Sequence, residues 1–392
     1  MSRPSLLSNL ANACEQRAQD GLLRRLRTVS ASDGIYLVSD GKRLRNFASN
    51  DYLGLARHPQ LLEALIKAAK QWGVGATAAH QLGGHRDEHA ALESELAAWT
   101  GRERALLFST GYMANLGIMQ TLLHPRAVCV QDKLNHVCLI DGARLSGARL
   151  KRYVHADVES ARRQLLSEPE AAALLASDGV FSMDGDIAPL RALADLCTEQ
   201  QATLMIDDAH GLGVLGDNGE GSVAAAGLDA QDVPLLMATL GKALGVAGAF
   251  VAGPADLIEG LRQFARTQIY TTAMPPALAA ASRIALRLAR DEHWRREKLL
   301  RLIAFFRHGA SQHGIVLANS PTPIQPVLIG ASDSAMTVSS RLEAAGFFVP
   351  AIRPPTVPEN SARLRVTLSA EHEESDLAEL LAALVAAGVG SR

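Results

Sequence analysis

Several protein classes depend on features this sequence has little of. Its 392 residues include four cysteines, Cys14, Cys129, Cys138 and Cys197, and no two stand in the Cys-x-x-Cys spacing of a zinc or redox site. Free thiols in a reducing compartment are the expectation. Charge of one sign is not in excess: the formal net charge is -2, which leaves no broad basic surface of the kind nucleic-acid binding needs. Long apolar runs are missing as well. The longest, residues 243–252, is too short and too rich in glycine to cross a bilayer. Residues 1–26 alternate Leu and Ala with Arg, Glu and Gln and lack the apolar core of a signal peptide. A cytoplasmic location is the expectation. No internal repeat, low-complexity linker or metal-ligand cluster stands out, so no metal is expected.

What remains is an ordinary globular composition, 48% hydrophobic and 20% charged, in a chain long enough for one large core and a smaller second domain. Residues 6–27 read as an amphipathic helix. Residues 35–38 and 44–47 read as short strands about an Asp40-Gly41 turn. Pro59 stands at the head of a helix over 60–71, and Gly73, Gly75, Gly83 and Gly84 mark a long loop. A helix over 89–100 then opens a regular alternation. Short apolar runs at 105–108, 127–130, 172–175, 203–206, 235–238 and 249–251 are separated in several places by helical segments, which predicts a mainly parallel α/β sheet. After Pro275-Pro276 a long helical stretch over 277–309 leads into mixed strands and helices. The expected organisation is an N-terminal helix with short strands over 1–55, a large domain over 56–280 and a small C-terminal domain over 281–392.

Ligands in open α/β sheets bind beyond the carboxyl ends of the strands. Those ends read Ser109-Thr110-Gly111-Tyr112, residues 178–185, Asp207-Asp208-Ala209-His210 and Thr239-Leu240-Gly241-Lys242. Lys242, taken alone, is compatible with a surface lysine. The apolar run that follows it has to be buried, however, and a lysine in apolar surroundings loses proton affinity and becomes competent to form a Schiff base. Asp207 at the end of a buried strand needs a partner. The pyridinium nitrogen of pyridoxal 5'-phosphate is one such partner, and a turn closed by its own hydrogen bonds is the plainer alternative. His210 is placed to reach the ring's phenolic oxygen. The phosphate requires N–H groups and hydroxyls at a helix start, which Ser109 to Tyr112 supply, with a further hydroxyl at Thr239. His136 follows the 127–130 strand and can stack on the ring, although an isolated histidine is more often structural.

These residues resemble the α-oxoamine synthases, a branch of the fold type I pyridoxal-phosphate enzymes. The matching motifs are Ser49-Asn50-Asp51-Tyr52-Leu53-Gly54-Leu55, Ser109-Thr110-Gly111-Tyr112, Asn135-His136, residues 178–185, Asp207-Asp208-Ala209-His210, Thr239-Leu240-Gly241-Lys242 and Tyr270-Thr271-Thr272-Ala273-Met274-Pro275-Pro276. They follow the family's order and cover nearly the whole chain. The resemblance implies a fold type I aminotransferase-like architecture, with a mainly parallel central sheet flanked by helices and a smaller α+β C-terminal domain. It implies Lys242 as the lysine that carries the cofactor, Asp207 on the ring nitrogen, His210 on the phenolic oxygen and His136 on the ring face. Gly111, Tyr112, Ser182 and Thr239 would also bind cofactor. In a homodimer with shared active sites, Thr271 and Thr272 would reach the phosphate of the neighbouring subunit. Arg24, Asn50, His136 and Thr356 would face substrate, with Arg365 the first candidate for the amino-acid carboxylate and Arg353 the second.

Within the family, Ile352-Arg353-Pro354-Pro355-Thr356-Val357-Pro358 is most similar to the branch acting in biotin biosynthesis. That branch joins L-alanine to a pimeloyl thioester, on coenzyme A or an acyl-carrier protein, with loss of carbon dioxide and free thiol. The sequence departs from the family in places. Cys138 replaces a common serine, Asp178 replaces a glutamate found in some members, and residues 81–89 are more charged than usual. Two alternatives stand beside this reading. One is a sibling synthase that takes glycine or serine with another acyl-coenzyme A. The other is an NAD-dependent dehydrogenase, since Gly211-Leu212-Gly213-Val214-Leu215-Gly216 matches G-x-G-x-x-G. Against the dehydrogenase, Asp217-Asn218-Gly219-Glu220-Gly221 follows where a helix is needed, and Thr239 ends the next strand where an acid is needed.

Overall fold

A computed structural model describes residues 3–24 and 26–390. The chain opens with α1 (Leu6–Gln19), capped by Ser5, whose hydroxyl accepts from Ser8 N at 3.3 Å. The expected helix over 6–27 ends earlier because Gly21 turns the backbone into the left-handed region at φ 66°; residue 25 lies outside the described residues. No α1 residue is buried. Next come β1 (Ala31–Asp33), β2 (Tyr36–Ser39) and β3 (Lys42–Asn46). The β2–β3 hairpin turns on Asp40 and Gly41, both with positive φ, as a two-residue turn that matches strand twist requires.

Helices α2 (Pro59–Trp72) and α3 (Asp87–Trp99) lead into an alternating region: β4 (Arg104–Phe108), α4 (Gly111–Leu122), β5 (Val128–Asp132), α5 (Val137–Leu145), β6 (Arg149–Tyr153), α6 (Val158–Leu166), β7 (Ala173–Asp178), α7 (Leu190–Glu199), β8 (Thr203–Asp207), α8 (Ser222–Ala225), β9 (Leu235–Thr239) and β10 (Ala249–Gly253). The seven strands lie in the order β4-β10-β9-β8-β7-β5-β6. All neighbours are parallel except β10, which runs antiparallel to both β4 and β9. Both faces are covered, so the strands inside the sheet read as mainly apolar runs. Ala105 and Leu107 of β4 join one core cluster with Phe250 of β10, while Leu106 and Phe108 face a second with Ile118 and Met119 of α4. Strand β6 escaped the sequence reading because it is the edge. Its Arg149, Lys151 and Arg152 keep the open side charged, and only Tyr153 is fully buried.

The remaining elements are α9 (Ala255–Phe264), α10 (Arg266–Ile269), α11 (Pro276–Asp291), α12 (His293–Gln312), β11 (Ile324–Gly330), α13 (Ser332–Ala344), β12 (Phe347–Phe348), β13 (Ala351–Ile352), β14 (Ala362–Thr367) and α14 (Glu374–Ala386). The helical stretch expected over 277–309 is two helices, broken at Glu292, where ψ of 64° leaves the helical region. Helix α11 packs on α2 and α3, and residue 280 lies inside it. The C-terminal part holds a three-stranded antiparallel sheet, β11-β14-β13, with α13 against it and α14 against α12 and α13. Strand β12 pairs with β3, so the two ends of the chain share a sheet. Among the described residues no helix is long and apolar enough to cross a membrane.

Candidate active site

The parallel register builds the site. Asp178 and Asp207 are the last residues of β7 and β8 and are direct partners across the two strands, which sets two carboxylates side by side at the carboxyl ends of the strands. Thr239 ends β9, with Lys242 three residues on, and Gly111 opens α4 just past β4. Between these ends lies a cavity of about 190 Å³. It is lined by Gly111, Tyr112, Asn115, His136, Cys138, Asp178, Val180, Ser182, Asp207, Ala209, His210, Met237, Thr239 and Lys242. The structure thus brings Gly111, Tyr112, His136, Ser182, Asp207, His210, Thr239 and Lys242 around one space.

The Asp207 carboxylate accepts from Asn115 Nδ2 at 2.7 Å and from Ala209 N at 3.1 Å. Asp178 Oδ2 accepts from His136 N at 3.1 Å, while its buried Oδ1 has no partner among the described residues. Burial, with Asp207 adjacent, holds the Asp178 carboxyl well above the usual carboxylate range. Burial lowers the Lys242 amine to about 8, against the pull of Asp207 and Asp178. Burial also keeps His210 neutral, well below the usual histidine range, with Lys242 and Arg365 adding to the effect. Its Nδ1 meets the Tyr52 hydroxyl at 2.6 Å. Burial pushes that phenol up to about 12, so it stays protonated as a donor. His136 is likewise lowered by burial, which outweighs the opposing charge of Asp207.

The substrate-side candidates are more dispersed. Arg365 on β14 is buried and reaches the 178–185 loop, donating from Nε to Ser182 O at 2.7 Å and from both Nη atoms to Asn50 Oδ1 at 3.3 Å. Asn50 therefore sits between Arg365 and Tyr52, whose hydroxyl lies 3.3 Å from the same oxygen. Arg353 is half-buried outside the cavity, near the end of α1: a Cβ built on Gly21 would lie 4.0 Å from its Nη1. Arg24 and Thr356 are exposed. Thr271 and Thr272 also lie outside this chain's cavity. Thr272 bridges to Ala79, and Ala273 N donates to Ala78 O at 3.0 Å.

Sequence reasoning passed over Asn115 and Tyr52 as site residues. A buried asparagine on the otherwise apolar face of α4 was the available signal for the first, and its place in the Ser49 to Leu55 motif for the second. The G-x-G-x-x-G stretch has a structural explanation. Its loop wraps Asp208, whose Oδ2 accepts from Ser222 N at 2.7 Å and which burial raises to about 7. A Cβ at Gly211 or Gly221 would collide with that carboxylate, so the glycines serve the turn and make no dinucleotide cradle.

The donor set fits pyridoxal phosphate. The amine of Lys242 is buried, holds its proton less tightly than an ordinary lysine and makes no ion pair among the described residues. Asp207 keeps lone pairs beyond its two bonds. The first turn of α4 opens on the cavity at Gly111 and Tyr112, with Thr110 capping Met113 N at 3.2 Å. A model of the aminotransferase class I and II family matches residues 42–384, and fold and site together define a pyridoxal-phosphate enzyme of that class. Closer relatives are the 8-amino-7-oxononanoate synthases of Stenotrophomonas maltophilia, 55% identical over 98% of this chain and 94% of theirs, and of Thioalkalivibrio sulfidiphilus, 54% identical over 96% and 97%. Among solved structures, a serine palmitoyltransferase variant from S. paucimobilis with a bound PLP–myriocin adduct superposes with a TM-score of 0.92 at 28% identity, covering 98% of both chains. An 8-amino-7-oxononanoate synthase from Francisella tularensis gives 0.77 at 30% identity, covering 87% of this chain and 96% of that one. The chain belongs to the 8-amino-7-oxononanoate synthase family.

Proposed function

We propose that the protein condenses L-alanine with a pimeloyl thioester, on coenzyme A or an acyl-carrier protein, to give 8-amino-7-oxononanoate, carbon dioxide and free thiol for biotin synthesis. The observation that carries this reading is the meeting of Lys242, Asp207, His136 and His210 around one cavity at the strand ends, in a chain more than half identical to synthases of that name.

The cofactor, when bound, supplies an electron sink that makes the α-proton of the amino acid acidic. Lys242 holds it, and as a free amine is the base that takes the α-proton. With its affinity near 8, roughly a tenth of this amine is neutral at pH 7, against roughly 0.03% for an ordinary lysine. Asp207 holds the ring nitrogen. Tyr52 donates to His210 Nδ1, which leaves His210 Nε2–H as the donor for the phenolic oxygen. His136 would stand over the ring and would offer a donor to the thioester carbonyl as charge develops there. Gly111, Tyr112, Ser182 and Thr239 complete the cofactor contacts, and Arg365, steadied by Asn50, receives the alanine carboxylate.

A homodimer with shared sites accounts for the candidates outside the cavity. Thr271 and Thr272 would reach the partner's phosphate site, and Arg24, Arg353 and Thr356 would line the acyl entrance. Helix α1 supports this arrangement, since Leu6 and Leu7 are 84% and 79% exposed and unpartnered in their own chain. Thiol release from pimeloyl-coenzyme A, measured with alanine, glycine or serine in turn, tests the function. Release that depends on alanine supports it. Release with serine or glycine alone would move the protein to a sibling activity such as that of its serine palmitoyltransferase neighbours.

A further inference from the structure

Behind His136 and Asp207 lie two residues to which the reaction assigns no task. Asn115 is fully buried on α4, and its Nδ2 donates to Asp207 Oδ2 at 2.7 Å and to the Cys138 sulfur at 2.9 Å. Those two bonds use both amide protons. The amide orientation is fixed by chemistry, because a flip would set its oxygen against the Asp207 carboxylate. The Cys138 sulfur in turn lies 2.7 Å from His136 Nδ1. Burial, with Asp207 nearby, keeps the Cys138 thiol protonated. Since its sulfur already accepts from Asn115, its one S–H is free to donate to Nδ1. The Cys138 backbone N–H points at the same nitrogen from 3.4 Å. A ring nitrogen that faces two donors is an acceptor, so the proton of neutral His136 sits on Nε2.

We propose that Asn115 and Cys138 are positioning residues: together they hold His136 as its Nε2–H tautomer and tie that ring to the Asp207 carboxylate, so that the donor offered to substrate and the carboxylate offered to cofactor move as one unit. This rests on the roles given above to His136 and Asp207. The thiol does here what a serine hydroxyl does equally well, whereas alanine cannot.

The test is ¹⁵N NMR of the cofactor-loaded, histidine-labelled full chain, with His136 assigned by its loss in His136→Gln. The groups facing this ring are Asp207, Asp178, Asp141, Lys242 and His210, and all are common to wild type and variants. Wild type and Cys138→Ser should both show a bare, accepting Nδ1 and a protonated Nε2. In Cys138→Ala only the backbone N–H still faces Nδ1, so a proton there is less opposed, and the His136 titration should move up by about 0.5 to 1 pH unit. A wild-type Nδ1–H signal would overturn the proposal, whether or not the alanine variant folds. So would an unmoved titration in Cys138→Ala, or a serine variant that shifts as far as the alanine one, which would point to packing alone. None of these readings depends on turnover, so a failure of the alanine and pimeloyl assignment would be seen separately, in thiol release.

Discussion

Replacing Arg365 with leucine separates recognition of the amino acid from the chemistry done on it. The guanidinium is buried, and its bonds all go to neutral acceptors: Ser182 O, Asn50 Oδ1 and, at 3.0 Å, Thr367 Oγ1. Among the described residues no carboxylate pairs with it, whereas its neighbour on the same strand, Arg363, is paired with Asp184. A buried cation without a counter-charge is costly to hold, and an arriving carboxylate neutralises it. A hydrogen bond to a charged partner contributes about 1.5–3 kcal/mol, which at about 1.36 kcal/mol per decade is roughly a 13- to 160-fold loss in kcat/KM for alanine. The loss should fall on the KM for alanine and leave the KM for the acyl thioester unchanged. Arg365→Lys keeps the charge without the fork and should fall in between. The control is Arg353→Leu, which lies outside the cavity and should change kcat/KM for alanine by less than about threefold. Initial rates with each substrate varied in turn decide the matter. If Arg365→Leu leaves kcat/KM for alanine intact while Arg353→Leu costs tenfold or more, the carboxylate binds at Arg353 and the argument from the unpaired buried charge is wrong.

Three other outcomes follow from the geometry. Capture of pyridoxal phosphate by the cofactor-free protein should speed up with pH only to about 8, where the Lys242 amine becomes neutral, and then level off; stopped-flow absorbance showing a rate still climbing at pH 10 would mean an ordinary lysine. Tyr52→Phe removes the donor to the buried His210 Nδ1 and should cost about 1–3 kcal/mol in urea unfolding, while a loss under about 0.5 kcal/mol would show that the ring has another donor. His155 bonds Asp132 at 3.1 Å and Asp186 at 2.8 Å; burial would lower it, but these bonds outweigh burial and raise it to about 10. Its stabilisation is therefore whole below about pH 6.5, the unfolded value, and fades as pH rises to about 10. The stability gap between wild type and His155→Gln should close over that range, and a gap constant to pH 10 would contradict the pairing.

What was legible in the sequence follows from where each residue lies along the chain. Asp207, Thr239 and Lys242 stand at or just past the ends of apolar runs, and a parallel sheet sends such ends to one edge whatever the details of packing. Asn115 and Tyr52 gain their meaning only from contacts to residues far away in the chain, Asp207 and His210, and no local pattern announces those pairs. Strand β6 was hidden because an edge strand with Arg149, Lys151 and Arg152 carries a surface pattern. The break at Glu292 was hidden because α11 and α12 are both good helix formers, and one backbone angle between them decides the geometry.

The site is also more economical in charge than its residue types suggest. Two carboxylates at neighbouring strand ends cannot both ionise cheaply away from water. Asp207 receives two N–H donors, whereas one oxygen of Asp178 receives none, and burial beside Asp207 drives Asp178 well above its ordinary range. A protonated Asp178 still accepts from the His136 backbone through Oδ2, so it can anchor that histidine without competing for the cofactor's ring nitrogen. With burial lowering His210 and His136, the cations at the cavity are the Lys242 amine and, beside it, Arg365. On the proposed reading, an arriving amino acid would bring a carboxylate to face Arg365. The cavity is therefore electrostatically incomplete in the places where such a molecule carries its own charges.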